Sequence, residues 1–164
     1  MTKSAPAASI YQAHLDAVGR AFWDRDWDSL SQYLAPQNSL RTLDTAYATR
    51  NHEEMRVSYQ SLRDSIDIVG AQAYHRICLE AQFTDASQTR ILGRHRTYIL
   101  SGGTTVLEPY ESDMTLELID QRWLGVAIFG RFKNSDLTAI SPDLLRKPTR
   151  QSEDQQPDLS KCQS

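Results

Sequence analysis

Apolar residues recur every three to four positions along this chain up to about Gly70 and alternate every second position beyond it. These are the periods of a helix face and of a half-buried strand. From Ser9 to Trp23, the residues Tyr11, Leu15, Val18 and Phe22 are spaced by four, three and four, with Gln12, Asp16 and Arg20 elsewhere, which predicts one amphipathic helix. Asp26 offers a capping oxygen to a short second helix on which Trp27, Leu30 and Leu34 share a side and which Pro36 cannot continue. Ser39 to Asp44 and Tyr47 to Thr49 are too brief for helices and carry Thr and Leu between turn formers, so both are expected to be extended. A third helix opens at Asn51, which can cap it, with Glu54 at the third helical position. Its stripe is Met55, Tyr59, Leu62 and Ile66, and it stops before Gly70.

Four strand patterns follow: Ala71 to Phe83, Thr89 to Leu100, Val106 to Ile119 and Arg122 to Phe132. The connectors Asp85-Ala86-Ser87, Ser101-Gly102-Gly103 and Asp120-Gln121 are short enough to join antiparallel neighbours into a meander. Pro109 predicts a bulge or a late start in the third strand. The order amounts to an α+β fold, a curved antiparallel sheet packed against three N-terminal helices. Beyond Asn134 the chain is mostly Ser, Pro, Gln, Asp and Lys. One domain over residues 9–134 is therefore expected, with 1–8 and 135–164 as flexible tails in which Leu137 to Leu145 could dock as a turn of helix.

Composition narrows the partners. With 164 residues and a formal charge of -3, the chain suits a single core and has no general attraction to phosphate backbones or anionic lipid. A nucleic-acid partner is not expected. No apolar run approaches the ~20 residues of a membrane span, and the first six residues lack the apolar core of a secretion signal. Cys78 and Cys162 form neither a metal spacing nor a disulfide framework, which fits a reducing cytoplasm.

The junction Phe22-Trp23-Asp24-Arg25-Asp26-Trp27-Asp28-Ser29-Leu30 and the closing Gln121-Arg122-Trp123 resemble those of the nuclear-transport-factor-2-like (NTF2-like, cystatin-like) superfamily, as does the element order from Ser9 to about Asn134. That superfamily includes SnoaL-type polyketide cyclases and ketosteroid isomerases. The resemblance implies a sheet curled into a cone whose mouth the helices close, a cavity able to hold a small apolar ligand, a homodimer through the sheet's outer face, and no cofactor.

Isomerase-like members keep a carboxylate base near the end of the first short strand, a position that falls here on Thr42. Threonine cannot act as a base near neutral pH. Asp44, two residues on, either substitutes for it or holds a turn. The resemblance also places a protonated acid at Asp113, yet Ser112 shares the face of Met114, Leu116 and Leu118, which turns Asp113 outward with Thr115 and Glu117 unless Pro109 resets the alternation.

His14 lies beside the inward stripe near the expected mouth, where a neutral imidazole could act as base or donor. His75 shares parity with Ile77, Leu79, Ala81 and Phe83 and is expected on the buried side. His95, between Arg94 and Arg96, has Ile91, Gly93, Thr97 and Ile99 for parity partners, but both faces of its strand carry apolar residues. Tyr47 could donate to a ligand carbonyl. Arg90, Arg94 and Arg96 either pair with Glu108, Glu111 or Glu117 across a hairpin or bind an anion. No metal-ligand spacing, nucleophile elbow, P-loop or dinucleotide fingerprint occurs. Two functions remain: a small-molecule-binding or dimeric assembly module, and a cofactor-independent lyase or isomerase in which His14 or Asp44 takes a proton while Tyr47, His95 or Ser112 steadies an oxyanion.

Overall fold

A computed structural model describes residues 6–146. Its elements run α1 (Ala7–Trp23), α2 (Trp27–Ser31), β1 (Leu34–Arg41), β2 (Ala46–Thr49), α3 (His52–Ile68), β3 (Ala73–Phe83), β4 (Arg90–Ser101), β5 (Thr104–Thr105), β6 (Tyr110–Ile119) and β7 (Arg122–Gly130). The α1 stripe of Tyr11, Leu15, Val18 and Phe22 is fully buried and packs chiefly on β3. At the α1–α2 junction Arg25 takes a left-handed φ of 57°, and its guanidinium reaches Asp64 and Asp67 of α3 at 2.7 and 3.3 Å. Asp26 caps α2 by accepting from the Ser29 amide at 3.2 Å. Asn51 caps α3 by accepting from the Glu54 amide at 2.9 Å, and Glu54 reaches back to accept from the Arg50 amide at 2.8 Å.

Helix α2 ends at Ser31, sooner than its spacing predicts, so Leu34 and Pro36 belong to β1. The proline is tolerated because the β1 ladder is irregular between Leu34 and Ser39. Pro109 does mark a late start, with β6 beginning at Tyr110.

The strands form one curved, open sheet in the order β2-β1-β7-β6-β4-β3, with β5 paired to β4. Strands β3, β4, β6 and β7 are antiparallel neighbours as the short connectors predict. The parallel pairing of β1 with β7 carries no sequence signal.

Two bulges bend the long strands and reset which side chains face the helices. In β3 the register shifts between Cys78 and Glu80, leaving Leu79 as the extra residue. Tyr74, Arg76 and Cys78 therefore face inward before the shift, and Ala81 and Phe83 after it. His75 is the correction here: it is exposed, and its parity partners Ile77 and Leu79 are 49 % exposed. In β7 the shift falls at Val126, so Trp123 and Ile128 pack on the core while Leu124, Ala127 and Phe129 lie opposite Glu117, Thr115 and Asp113 on the outer side. Without the extra residue, alternation would group Leu124 and Val126 with Ile128.

After β7 the chain packs on the core, the docking allowed for Leu137 to Leu145 rather than a free tail. Leu137, Ile140 and Leu144 are buried, with residues 142–146 in a helical turn. The Asn134 side chain organises this stretch: it accepts from the Ala139 and Ile140 amides at 2.9 and 2.8 Å and donates to the Ile140 carbonyl at 2.9 Å. The Ser58 hydroxyl of α3 donates to the Ala139 carbonyl. The sequence left docking as one alternative, because Leu137 and Ile140 stand singly among polar residues without a period. The expected tails at 1–5 and 147–164 lie outside the described residues.

Strand β3 is an edge of the sheet, and α1 covers part of it. The Gln12 side chain donates from Nε2 to the Arg76 carbonyl at 3.0 Å and accepts the Cys78 amide on Oε1 at 2.7 Å.

Candidate functional site

Between the sheet's inner face, α3 and the 134–146 segment lies a hollow of about 60 Å³. Strand parity decides what lines it. From β3 come Tyr74 and Arg76, from β4 His95 and Thr97, and from β6 Tyr110 and Ser112, each at alternate positions. Helix α3 adds Ser58, Tyr59 and Leu62, and Ala139 and Ile140 close the wall.

Of the residues singled out from sequence, His95 and Ser112 meet here, facing each other across the β4–β6 ladder. His95 is 1 % exposed, and its Nδ1 lies 2.6 Å from the Tyr11 hydroxyl. With the phenol donating, the imidazole is neutral. Burial, aided by the positive charge of Arg76, holds its pKa well below the usual histidine value. Tyr11 can reach it because Gly93 leaves room: a Cβ on Gly93 would stand 2.2 Å from the Tyr11 ring. The phenols are kept protonated in turn, Tyr59 pushed up to about 12 and Tyr74 and Tyr110 raised, in each case first by burial.

The other candidates lie elsewhere. His14 is buried, but it lines a separate depression with Tyr33 and Trp123. Its Nε2 donates to the Tyr33 carbonyl at 2.9 Å, and its Nδ1 has no partner among the described residues. Burial pushes its pKa down to about 4 against the opposing pull of that carbonyl. The Tyr47 hydroxyl donates to Glu54 at 2.8 Å, part of the α3 cap. Hydrogen bonds from Arg50 lead the causes that bring the Glu54 carboxyl down to about 2. Asp44 is exposed and accepts the Asn134 amide at 2.7 Å, the main cause of its lowered pKa. It therefore anchors the start of the 134–146 segment.

Asp113 faces outward, as strand parity predicts against the family pattern. It accepts from Arg94 at 2.9 Å and Arg131 at 2.7 Å. Burial alone would raise its carboxyl, but these two bonds outweigh it and the pKa falls. Arg96 and Arg90 likewise lie 3.5 and 3.9 Å from Glu111 and Glu117, so the arginine series is taken up by cross-strand pairing. Among the described residues no three His, Cys, Asp or Glu side chains gather as metal ligands would.

Sequence reasoning missed Arg76. Only its parity with Tyr74 and Cys78 could have flagged it, and the apolar series His75, Ile77 and Leu79 on the opposite face pointed the other way.

The fold recurs in solved structures. The chain superposes on an NTF2-like protein of unknown function from Shewanella oneidensis with a TM-score of 0.59 at 14% identity, covering 75% of this chain and 97% of that one. The fold is NTF2-like. Two cystatin-like-fold structures from Nostoc punctiforme give the same picture: a protein of unknown function at TM-score 0.61 and 9% identity, covering 82% of this chain and 97% of that one, and a domain of unknown function at 0.59 and 14%, covering 98% and 99%. No protein-family model matches the sequence, and no curated protein is significantly similar to it. The NTF2-like identification thus rests on shape, and shape leaves the chemistry to be argued from the site.

Proposed function

We propose that this NTF2-like domain is a small-molecule-binding module that works as a homodimer in the cytoplasm. The observation that carries the binding reading is the composition of the hollow. Hydroxyls of Ser58, Thr97 and Ser112 and the phenols of Tyr59, Tyr74 and Tyr110 share the lining with Leu40, Leu62, Ile128 and Ile140. Small-ligand sites have this makeup, apolar walls with a few convergent polar groups. Binding is favoured over proton transfer because Asp44, Asp113 and His14 lie away from the lining, and because the imidazole of His95 is tied to Tyr11. No helix among the described residues is long and apolar enough to cross a membrane.

Pairing through the sheet is supported by its outer face. Ile77 and Leu79 of β3 are 49 % exposed and Leu92 of β4 is 47 % exposed. Beside them lies a depression of about 360 Å³ lined by Arg41, Arg94, Asp113 and Phe129.

A screen of small fragments against the labelled protein by amide NMR tests the binding reading. Saturable shifts are expected at Tyr59, Thr97 and Ser112, and a screen in which no compound moves those residues would sink it. Light scattering should return twice the chain mass, and Leu79→Arg should halve it.

A further inference from the structure

Two arginines border the hollow, Arg41 and Arg76. The Arg41 guanidinium stacks over the Phe129 ring on the sheet's outer face at 4.7 Å, so the charge enclosed with the hollow is that of Arg76. Arg76 is 8 % exposed. Its Nη2 donates to the Leu15 carbonyl at 3.1 Å, whereas its enclosed Nε has no partner among the described residues. Among the described residues no carboxylate lines the hollow with it. A guanidinium does not shed its proton at physiological pH, and a buried ion lacking a counter-charge is strongly disfavoured unless something completes it. Nothing else among the described residues of the wall can: the three phenols are held protonated by burial, and Ser58, Thr97 and Ser112 are neutral. The missing element is an anion.

Size and lining say which kind. On a scale where one water needs roughly 10–15 Å³, about 60 Å³ holds roughly four to six heavy atoms. The guanidinium fork matches a carboxylate, and Leu40, Leu62, Ile128, Phe132 and Ile140 suit an alkyl group. A phosphate or sulfate dianion would bring a second negative charge, and the other bordering cation, Arg41, is engaged on the outer face over Phe129. The geometry points to a receptor for a short aliphatic monocarboxylate, its carboxylate paired with Arg76 and its alkyl end against the apolar wall. This rests on the binding reading above and names the ligand class.

Calorimetric titration of the full chain with propionate, propionamide and sulfate at constant ionic strength tests it. Propionate should bind saturably and at least tenfold more tightly than the neutral, nearly isosteric amide, and sulfate should not displace it. Arg76→Met should weaken propionate tenfold or more. Leu62→Trp, which keeps the charge but fills the hollow, should abolish binding. The carboxylate assignment is overturned, with the pocket left standing, if propionamide matches propionate, if sulfate displaces it, or if Arg76→Met retains affinity. Retention by Leu62→Trp would move the site elsewhere and overturn the assignment. If neither propionate nor propionamide binds while the fragment screen succeeds, only the carboxylate inference fails; if that screen also fails, both readings fall.

Discussion

His14 shows what one buried imidazole does to pH dependence. Folded, its pKa is about 4, against about 6.5 for an unfolded chain. The unfolded state therefore binds the proton first, and stability is lost as pH falls below about 6.5, a loss that saturates near the folded pKa. The slope from one such group approaches about 1.4 kcal/mol per pH unit. His95 shifts in the same direction and should add to the loss. The groups bearing on His14 are the Tyr33 carbonyl and the charge of Arg76, which reinforces the neutral form. Urea unfolding at pH 7.5 and 5.0 should give a lower free energy at the acid value, and His14→Gln, which can keep the bond to Tyr33, should narrow the gap. An equal gap in the variant would remove His14 as a cause.

Capping was legible in the elements, whereas facing was legible only where no bulge intervened. Asn51 and Glu54 form the reciprocal cap that their spacing predicts, with Tyr47 drawn into it. Asn51→Ala should therefore cost about 1 kcal/mol, read as a lower urea midpoint with unchanged slope. An unaltered midpoint would mean that the Glu54 contacts alone hold the helix start. The α1 and α3 stripes and the Ser112–Met114–Leu116 face came through directly, because period and burial agree along each. The faces of β3 and β7 did not: one extra residue, Leu79 or Val126, inverts everything beyond it, and neither is a glycine or proline that would mark the place. His75 was misread, and Arg76 missed, because both precede the Leu79 bulge and the period-two series through Ile77 and Leu79 ran on to the inward Ala81 and Phe83. The pairing of β1 with β7 was equally hidden, since parallel neighbours distant in sequence leave no turn between them.

For the whole molecule, the NTF2-like architecture was readable from element order, but the contents of the cone were not. The inner wall is assembled from two or three residues on each of six elements and from the 134–146 segment, whose anchor at Asp44 lies on the far side of the sequence. Gln12 acts at the same scale. Its amide occupies two edge groups of β3, the Arg76 carbonyl and the Cys78 amide, that another strand would otherwise take. Gln12→Ala should leave those groups open beside the exposed Ile77 and Leu79 and raise the rate of aggregation, followed as turbidity at fixed concentration. A rate equal to that of the parent protein would show that the edge is guarded by something else. For the face-to-face pair proposed above, capping the rim in this way closes off growth along a ribbon, so a single glutamine on a helix bears on whether copies of this chain stop at two or keep adding.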